Sequence, residues 1–300
     1  HYRIIDDQIQ TVEEHLIGVG KLCSGYAKEH GFEWTGRLLG ILHDLGKYTS
    51  EFREYITEGI RREKEGLPPL SKTVPHGKYG AIFLYKRYPQ NNIFDKVMLE
   101  ILAMVICYHH GGLEDYITDD LDCKLVNRCK TDDPNEVKAY TEACNMLFER
   151  VLTQTEMEEI FQKSSEEFRK FMQSKKEPDQ FELHLLVKIL YSCLIDADRY
   201  DTYCFMQKNN VIESMNDEEI SKLWDVFDKR LSVTEKSLQE KVTKGDLESR
   251  IHSLRQDIWK QCSDYGDKPE GIYTLTVPTG GGKTLSSLRY AINHARKYHK

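Results

Sequence analysis

The chain has 300 residues, 39% of them hydrophobic and 30% charged, an ordinary globular balance with room for one large domain or two smaller ones. A formal net charge of -7 excludes a protein that coats duplex DNA through a bulk basic field. It leaves open an enzyme that meets a strand in a local groove, where bound cations supply the positive charge. No apolar run approaches the roughly 20 residues that cross a bilayer, so no membrane association is expected. The first residues do not look like a secretory signal. Eight cysteines occur without a CxxC pair; Cys23, Cys107, Cys193 and Cys204 lie in apolar or aromatic surroundings and are expected as buried thiols in a reducing, cytoplasmic compartment.

In chain order, Val12, Leu16, Val19, Leu22 and Tyr26 recur at helical spacing, with His15 beside that stripe. A second helix is predicted over Thr35–Phe52 and carries His43-Asp44. A polar, Pro-containing loop follows from Gly59 to Pro75, and His76 stands at the entrance of the next helix. Phe94–Tyr108 is strongly apolar, runs into His109-His110 and is stopped by Gly111-Gly112. Leu113–Pro134 is acidic and irregular. Helices are predicted over Asn135–Leu152, Thr155–Met172 and Phe181–Ile195, the last ending in Asp196-Ala197-Asp198-Arg199. Strand-like alternation is scarce, so this region is predicted all-α. Ser232–Asp246 is a polar connector and Leu247–Trp259 looks amphipathic. Ile272–Val277 is the one convincing strand, followed by a glycine-rich loop and a helix over Leu285–Tyr298. The resulting division is 1–231 as a helical domain, 232–270 as a connector and lead-in, and 271–300 as the start of an α/β lobe.

The histidines and aspartates carry the chemistry. His15, His43, Asp44, His76, His109, His110 and Asp198 offer five imidazoles and two carboxylates, each where a helix could aim it inward. A dinuclear metal centre needs about that inventory of nitrogen and oxygen donors. On a helix, adjacent His43 and Asp44 would point about 100° apart, so that one binds an ion while the other bridges to a second. Imidazole-rich ligation favours manganese, iron, cobalt, nickel or zinc.

The run His43-Asp44-Leu45-Gly46-Lys47, with an upstream His, later His residues and a late Ala-Asp, resembles the HD phosphohydrolase superfamily. Tyr108-His109-His110-Gly111-Gly112, together with Pro278-Thr279-Gly280-Gly281-Gly282-Lys283-Thr284 behind it, is similar to the CRISPR-associated HD nuclease–helicase of type I systems. The resemblance implies a mostly α protein: an all-helical, metal-dependent HD phosphohydrolase domain, then the first strand, phosphate loop and helix of a truncated α/β RecA-like helicase lobe. It implies endo- and exonucleolytic cleavage of single-stranded DNA in antiviral defence, with recruitment by a CRISPR RNA-guided surveillance complex and, as a further partner, an anti-CRISPR inhibitor protein. It implies that His15, His43, Asp44 and Asp198 hold one divalent ion and that Asp44, His76, His109 and His110 hold the other. Asp196 competes with Asp198. Lys47 would sit near the scissile phosphate or orient a water, or would be a solvated charge.

In the phosphate loop, Val277 takes the first glycine position of the general pattern. The backbone N–H groups of Gly280, Gly281 and Gly282, after Thr279, would face ATP phosphates. Lys283 would reach the β- and γ-phosphates, and Thr284 would bind Mg²⁺. No acidic motif for water activation follows, so the sequence is expected to be a piece of a longer protein whose helicase activity needs the remainder. Two other readings stand beside this one. The first is an HD phosphohydrolase acting on nucleotides or cyclic dinucleotides. The second is a non-catalytic helical module that docks a helicase.

Overall fold

The structure, a computed structural model, describes residues 2–5, 8–71, 74–115, 123–130, 133–173, 180–207, 217–240 and 246–298. These fall into two compact units, His1–Val211 and Ile212–Lys300.

The first unit opens on a hairpin of β1 (Tyr2–Ile5) and β2 (Gln8–Thr11), antiparallel with Tyr2 opposite Thr11. Sequence pattern alone predicts no strand here. Thr11 then caps α1 (Val12–Lys28): its hydroxyl accepts from the Glu14 N–H at 3.2 Å, and the Glu14 carboxylate accepts from the Thr11 N–H at 2.8 Å. Val12, Leu16, Val19, Cys23 and Ala27 bury one face of α1 against α2 (Glu33–Leu42). The two backbones touch where glycines meet. A Cβ on Gly40 would fall 2.6 Å from Gly20 Cα, so only glycine permits this approach. The first turn of α2 has no cap of its own. Glu167, on α8 (Gln154–Gln173), reaches across to accept from the Trp34 and Thr35 N–H groups, both at 2.9 Å.

Helix α2 ends at Leu42, which corrects the helix predicted over Thr35–Phe52. His43 is the C-cap, and Asp44 (φ -111°, ψ 23°) leads into a single 3₁₀ turn over Leu45–Tyr48. The reason lies at Gly46: a Cβ there would meet the His76 carbonyl oxygen at 2.3 Å and the Tyr79 ring at 2.6 Å. The chain tightens so that the His76 segment can lie directly on it. Thr49 then caps α3 (Ser50–Lys64), which extends into the stretch predicted as loop. Helix α4 (Tyr79–Arg87) follows His76.

Helix α5 (Ile93–Tyr108) is capped by Asn92, whose side chain accepts from the Asp95 N–H at 2.9 Å. It is apolar on nearly every face and forms the centre of the core with Leu99, Leu102, Val105 and Ile106. It stops at Gly112 (φ 88°), where the Gly111 and Gly112 N–H groups both bond to the Tyr108 carbonyl at 3.1 Å. A short α6 (Lys124–Cys129) lies within the stretch predicted as irregular, of which residues 116–122 and 131–132 are outside the described residues. Then come α7 (Pro134–Arg150), α8 and α9 (Gln180–Met206). Helix α9 packs on α1 and runs well past the predicted end at Ile195, so Asp198 sits inside a helix.

The second unit comprises α10 (Asp217–Glu240), α11 (Asp246–Tyr265) and α12 (Lys283–Tyr298). The stretch predicted as a connector, Ser232–Asp246, is helical on both sides of residues 241–245, which are outside the described residues. Arg289 is buried at the centre of this unit, paired with Asp228, bonded to Ser232 Oγ at 3.1 Å and stacked over Trp259 at 5.0 Å. The strand predicted at Ile272–Val277 does not form. The segment joins no ladder among the described residues, and Ile272 is 99% exposed. β-Branched alternation gives a strand its preference, but the ladder comes from a partner, and β1–β2 is the only ladder among the described residues. Gly280 (φ 83°) and Gly282 (φ 86°) turn the chain into α12, which begins at Lys283. No described helix is long and apolar enough to cross a membrane.

Candidate metal centre

Asp44 is fully buried, and the side chains around it come from five parts of the first unit. One carboxylate oxygen, Oδ2, faces His43 Nε2 at 3.2 Å and His15 Nε2 at 3.5 Å. The other, Oδ1, faces His76 Nε2 and His109 Nε2, both at 3.4 Å, and His110 Nε2 at 3.7 Å. Asp198, from α9, places Oδ1 3.2 Å from His15 Nε2 and 3.8 Å from His43 Nε2. The ligand atoms of His15, His43, Asp44 and Asp198 all lie within 4.8 Å of one another, as do those of Asp44, His109 and His110. His76 stands against the second group, its Nε2 2.7 Å from His110 Nε2 and its ring edge-on to Phe52 at 4.6 Å. Asp196, the competing carboxylate, is exposed on another side of α9 beside Tyr26 and Tyr200. Lys47 is not a solvated charge. It is buried, and its ammonium pairs with Asp44 Oδ2 from one turn away.

The tautomers follow from the outer hydrogen bonds. His43 Nδ1 donates to the Gly40 carbonyl (2.8 Å), His109 Nδ1 to Ile106 (2.6 Å) and His76 Nδ1 to Val74 (3.0 Å). His15 Nδ1 donates to Asp201 Oδ2 at 2.7 Å. Carbonyls only accept, so in the neutral rings each Nε2 is a lone pair turned inward. Lone pairs therefore face a carboxylate. His15 Nε2, His43 Nε2, His109 Nε2 and Asp44 Oδ1 are all buried without a hydrogen-bond partner. Such orphans are costly unless something positive stands between them. Separations of 3.2–3.8 Å are close to the edge lengths, about 3.3–3.6 Å, of donors held tetrahedrally at about 2.0–2.2 Å around one ion. The donor set thus fits divalent cations.

Titration tells the same story without metal. Burial opposes charging His15, but Asp198, Asp201 and Asp44 outweigh it and raise its pKa to about 10. Burial likewise opposes His43, and the Asp44 charge overcomes it and raises the ring above its ordinary value. At His76 burial wins and lowers the pKa to about 4, and it also lowers His109. Burial would raise the Asp44 carboxyl, yet Lys47 and His43 hold it well below the usual range; Asp198 is likewise lowered, by His15 and His43 against its own burial. Protons on His15 and His43 stand where a cation would.

His15, His43 and His109 are buried, whereas the His110 side chain is half exposed and those of His76 and Asp198 are 17% and 18% exposed. Sequence reasoning missed Asp201. The signal available was its spacing of three from Asp198, which places both on one face of α9.

Imidazoles and carboxylates converging on one buried aspartate in a helical bundle define a metal-dependent hydrolase of the HD type. The chain belongs to the Cas3 HD family: the sequence profile described as "Cas3, HD domain" matches residues 7–188. A comparison with curated proteins returns no match. The family makes this a CRISPR-associated, metal-dependent nuclease domain, with nucleic acid and the RNA-guided surveillance complex as its implied partners. Asp198 and Asp201 lie beyond the matched residues, so geometry alone brings them to the site.

Proposed function

We propose that this chain hydrolyses phosphodiester bonds of single-stranded DNA at a dinuclear centre shared through Asp44. It would do so as the target-degrading part of an ATP-driven helicase recruited to DNA by the surveillance complex. The observation that carries the reading is the convergence of five inward-facing Nε2 atoms on the two oxygens of one buried carboxylate. His15, His43, Asp44 and Asp198 would hold one ion; Asp44, His109 and His110, with His76 beside them, would hold the other. When bound, the ions supply charge neutralisation at the phosphate and lower the pKa of water.

The chain's own residues do the rest. Asp44 fixes the spacing of the two donor groups because each oxygen faces one of them. His110 and His76 stand at the mouth, where a phosphate enters. The buried ammonium of Lys47, held on Asp44 Oδ2, adds a fixed positive charge beside the entering phosphate oxygens. Helices α1, α2 and α5 exclude water from the far side. Contacts of this kind are to backbone phosphate, so cleavage would be nearly independent of sequence. A centre set this deep among helices, with His110 alone of its donors half exposed, suits one strand better than a duplex.

For the second unit we propose that Thr279, Gly280, Gly281, Gly282, Lys283 and Thr284 cradle ATP phosphates and Mg²⁺ in the complete motor. The loop's entry into the N-terminus of α12 supports this.

The test compares a labelled single strand, the same sequence as duplex, and a panel of nucleotides and cyclic dinucleotides, with Mn²⁺ or with EDTA. Mn²⁺-dependent cleavage of the single strand, lost in Asp44→Asn, is expected. Hydrolysis of nucleotides without strand cleavage would favour the nucleotide phosphohydrolase. Partner binding by a protein that takes up no metal would favour the docking module.

A further inference from the structure

Four imidazoles at the centre are oriented through Nδ1, and three of them use backbone. His43 and His109 each follow the last residue of a helix, α2 and α5. The carbonyls they bond, Gly40 and Ile106, are among the last four of those helices and have no intrahelical donor. His76 lies in a loop and uses Val74. His15 is different. It is the fourth residue of the 17-residue α1, where neighbouring carbonyls are committed to the helix. It can be oriented only by a side chain from elsewhere, and Asp201 supplies it at 2.7 Å.

The surroundings hold Asp201 in that position. Its Oδ2 also accepts from Gln10 Nε2 at 2.8 Å, and Gln10 is itself buried. On α1, the residue one turn after His15 is Gly18, and a Cβ there would lie 2.2 Å from Asp201 Oδ1. Helix α9 places Asp198 and Asp201 one turn apart, so one face gives a donor to the centre and a clamp for another donor.

We propose that Asp201 is the positioning residue that fixes His15 as a metal ligand, and that its carboxylate makes the His15–His43–Asp44–Asp198 group the tighter of the two cation sites. This rests on the metal-centre reading above. A carboxylate partner makes a ligating imidazole more basic than a carbonyl does, and outer partners of this kind are typically worth about 10- to 100-fold in metal affinity. At the other group, the Nδ1 atoms of His109 and of the adjoining His76 are held by backbone carbonyls, those of Ile106 and Val74.

The experiment is a Zn²⁺ titration of the metal-stripped full chain, with the imidazole N–H signals followed by NMR in the Zn²⁺-loaded, ¹⁵N-labelled protein. Asp201→Ala is expected to weaken the tighter binding step about 10- to 100-fold, to leave the weaker step unchanged, and to displace the His15 Nδ1–H signal alone. Asp201→Asn keeps an acceptor, so it should retain the His15 signal and recover part of the affinity. Gly18→Ala raises helix propensity yet pushes Asp201 away, so it should weaken the same step without destabilising α1. An unchanged tight step and an unmoved His15 signal in Asp201→Ala would overturn this inference alone. No Zn²⁺ uptake by the wild type would overturn the metal-centre reading, and this inference with it.

Discussion

Removing the Asp44 charge tests the electrostatics of the metal-free protein before any catalysis is measured. Asp44 is completely buried, and Lys47 pairs with its Oδ2 with only 7% of its side chain exposed. Asp44→Asn keeps the shape but leaves a buried ammonium without its anion. Breaking a buried pair from one side costs about 3–5 kcal/mol. For a unit of this size each kcal/mol moves the midpoint by about 2–4 °C, so a fall of about 6–20 °C is expected. Replacing the cation as well, in Asp44→Asn/Lys47→Met, removes the stranded charge. The double variant should therefore be more stable than Asp44→Asn alone, although neither binds metal. The assay is thermal unfolding of EDTA-treated protein followed by circular dichroism, with urea unfolding of the same variants arranged as a double-mutant cycle. Additive losses, with Lys47→Met destabilising equally in both backgrounds, would refute the claim that this pair is coupled inside the core.

The His15 pKa, raised to about 10 from 6.5, makes its contribution to metal-free stability complete below pH 6.5 and lost as pH rises towards 10. Unfolding free energy measured in EDTA should fall across that window, and His15→Gln should flatten the slope. Metal loading at pH 7.5 should release protons, read as a buffer-dependent heat in calorimetry. Gly46→Ala should lower metal uptake and strand cleavage together, because the new methyl strikes the His76 carbonyl at 2.3 Å and displaces that imidazole. Metal analysis of the purified variant checks it. Lys283→Ala should leave Mn²⁺-dependent cleavage of single strands unchanged; lost cleavage in a variant that retains its metal would contradict the separation of the two activities.

Much of the helical frame was legible because burial writes a period into sequence. The stripe from Val12 to Tyr26 and the apolar block before His109 could hardly be anything else. The turn at His43-Asp44 was not legible. It depends on Gly46 yielding to a segment thirty residues later, and a helical pattern through Leu38, Leu39 and Leu42 hides it. Helix α9 looked shorter because Asp196, Asp198 and Arg199 interrupt its apolar run, and the partly buried Asp198 faces inward for its donor atom rather than its hydrophobicity. The HD run pointed to His15, His43, Asp44, His76, His109, His110 and Asp198, and the structure brings these around one carboxylate. Asp201 belongs to no motif; its place follows only from the packing of α9 against Gly18. At Ile272–Val277 the local preference is for strand, but a ladder needs a partner that the described residues do not provide.

The position of the ions is the most direct test of a dinuclear centre on Asp44. Anomalous diffraction from Mn²⁺-soaked crystals should show two peaks flanking the Asp44 carboxylate. One should lie among His15, His43 and Asp198, and the other beside His109 and His110. Peaks away from Asp44, or none at Mn²⁺ concentrations that support cleavage, would contradict it.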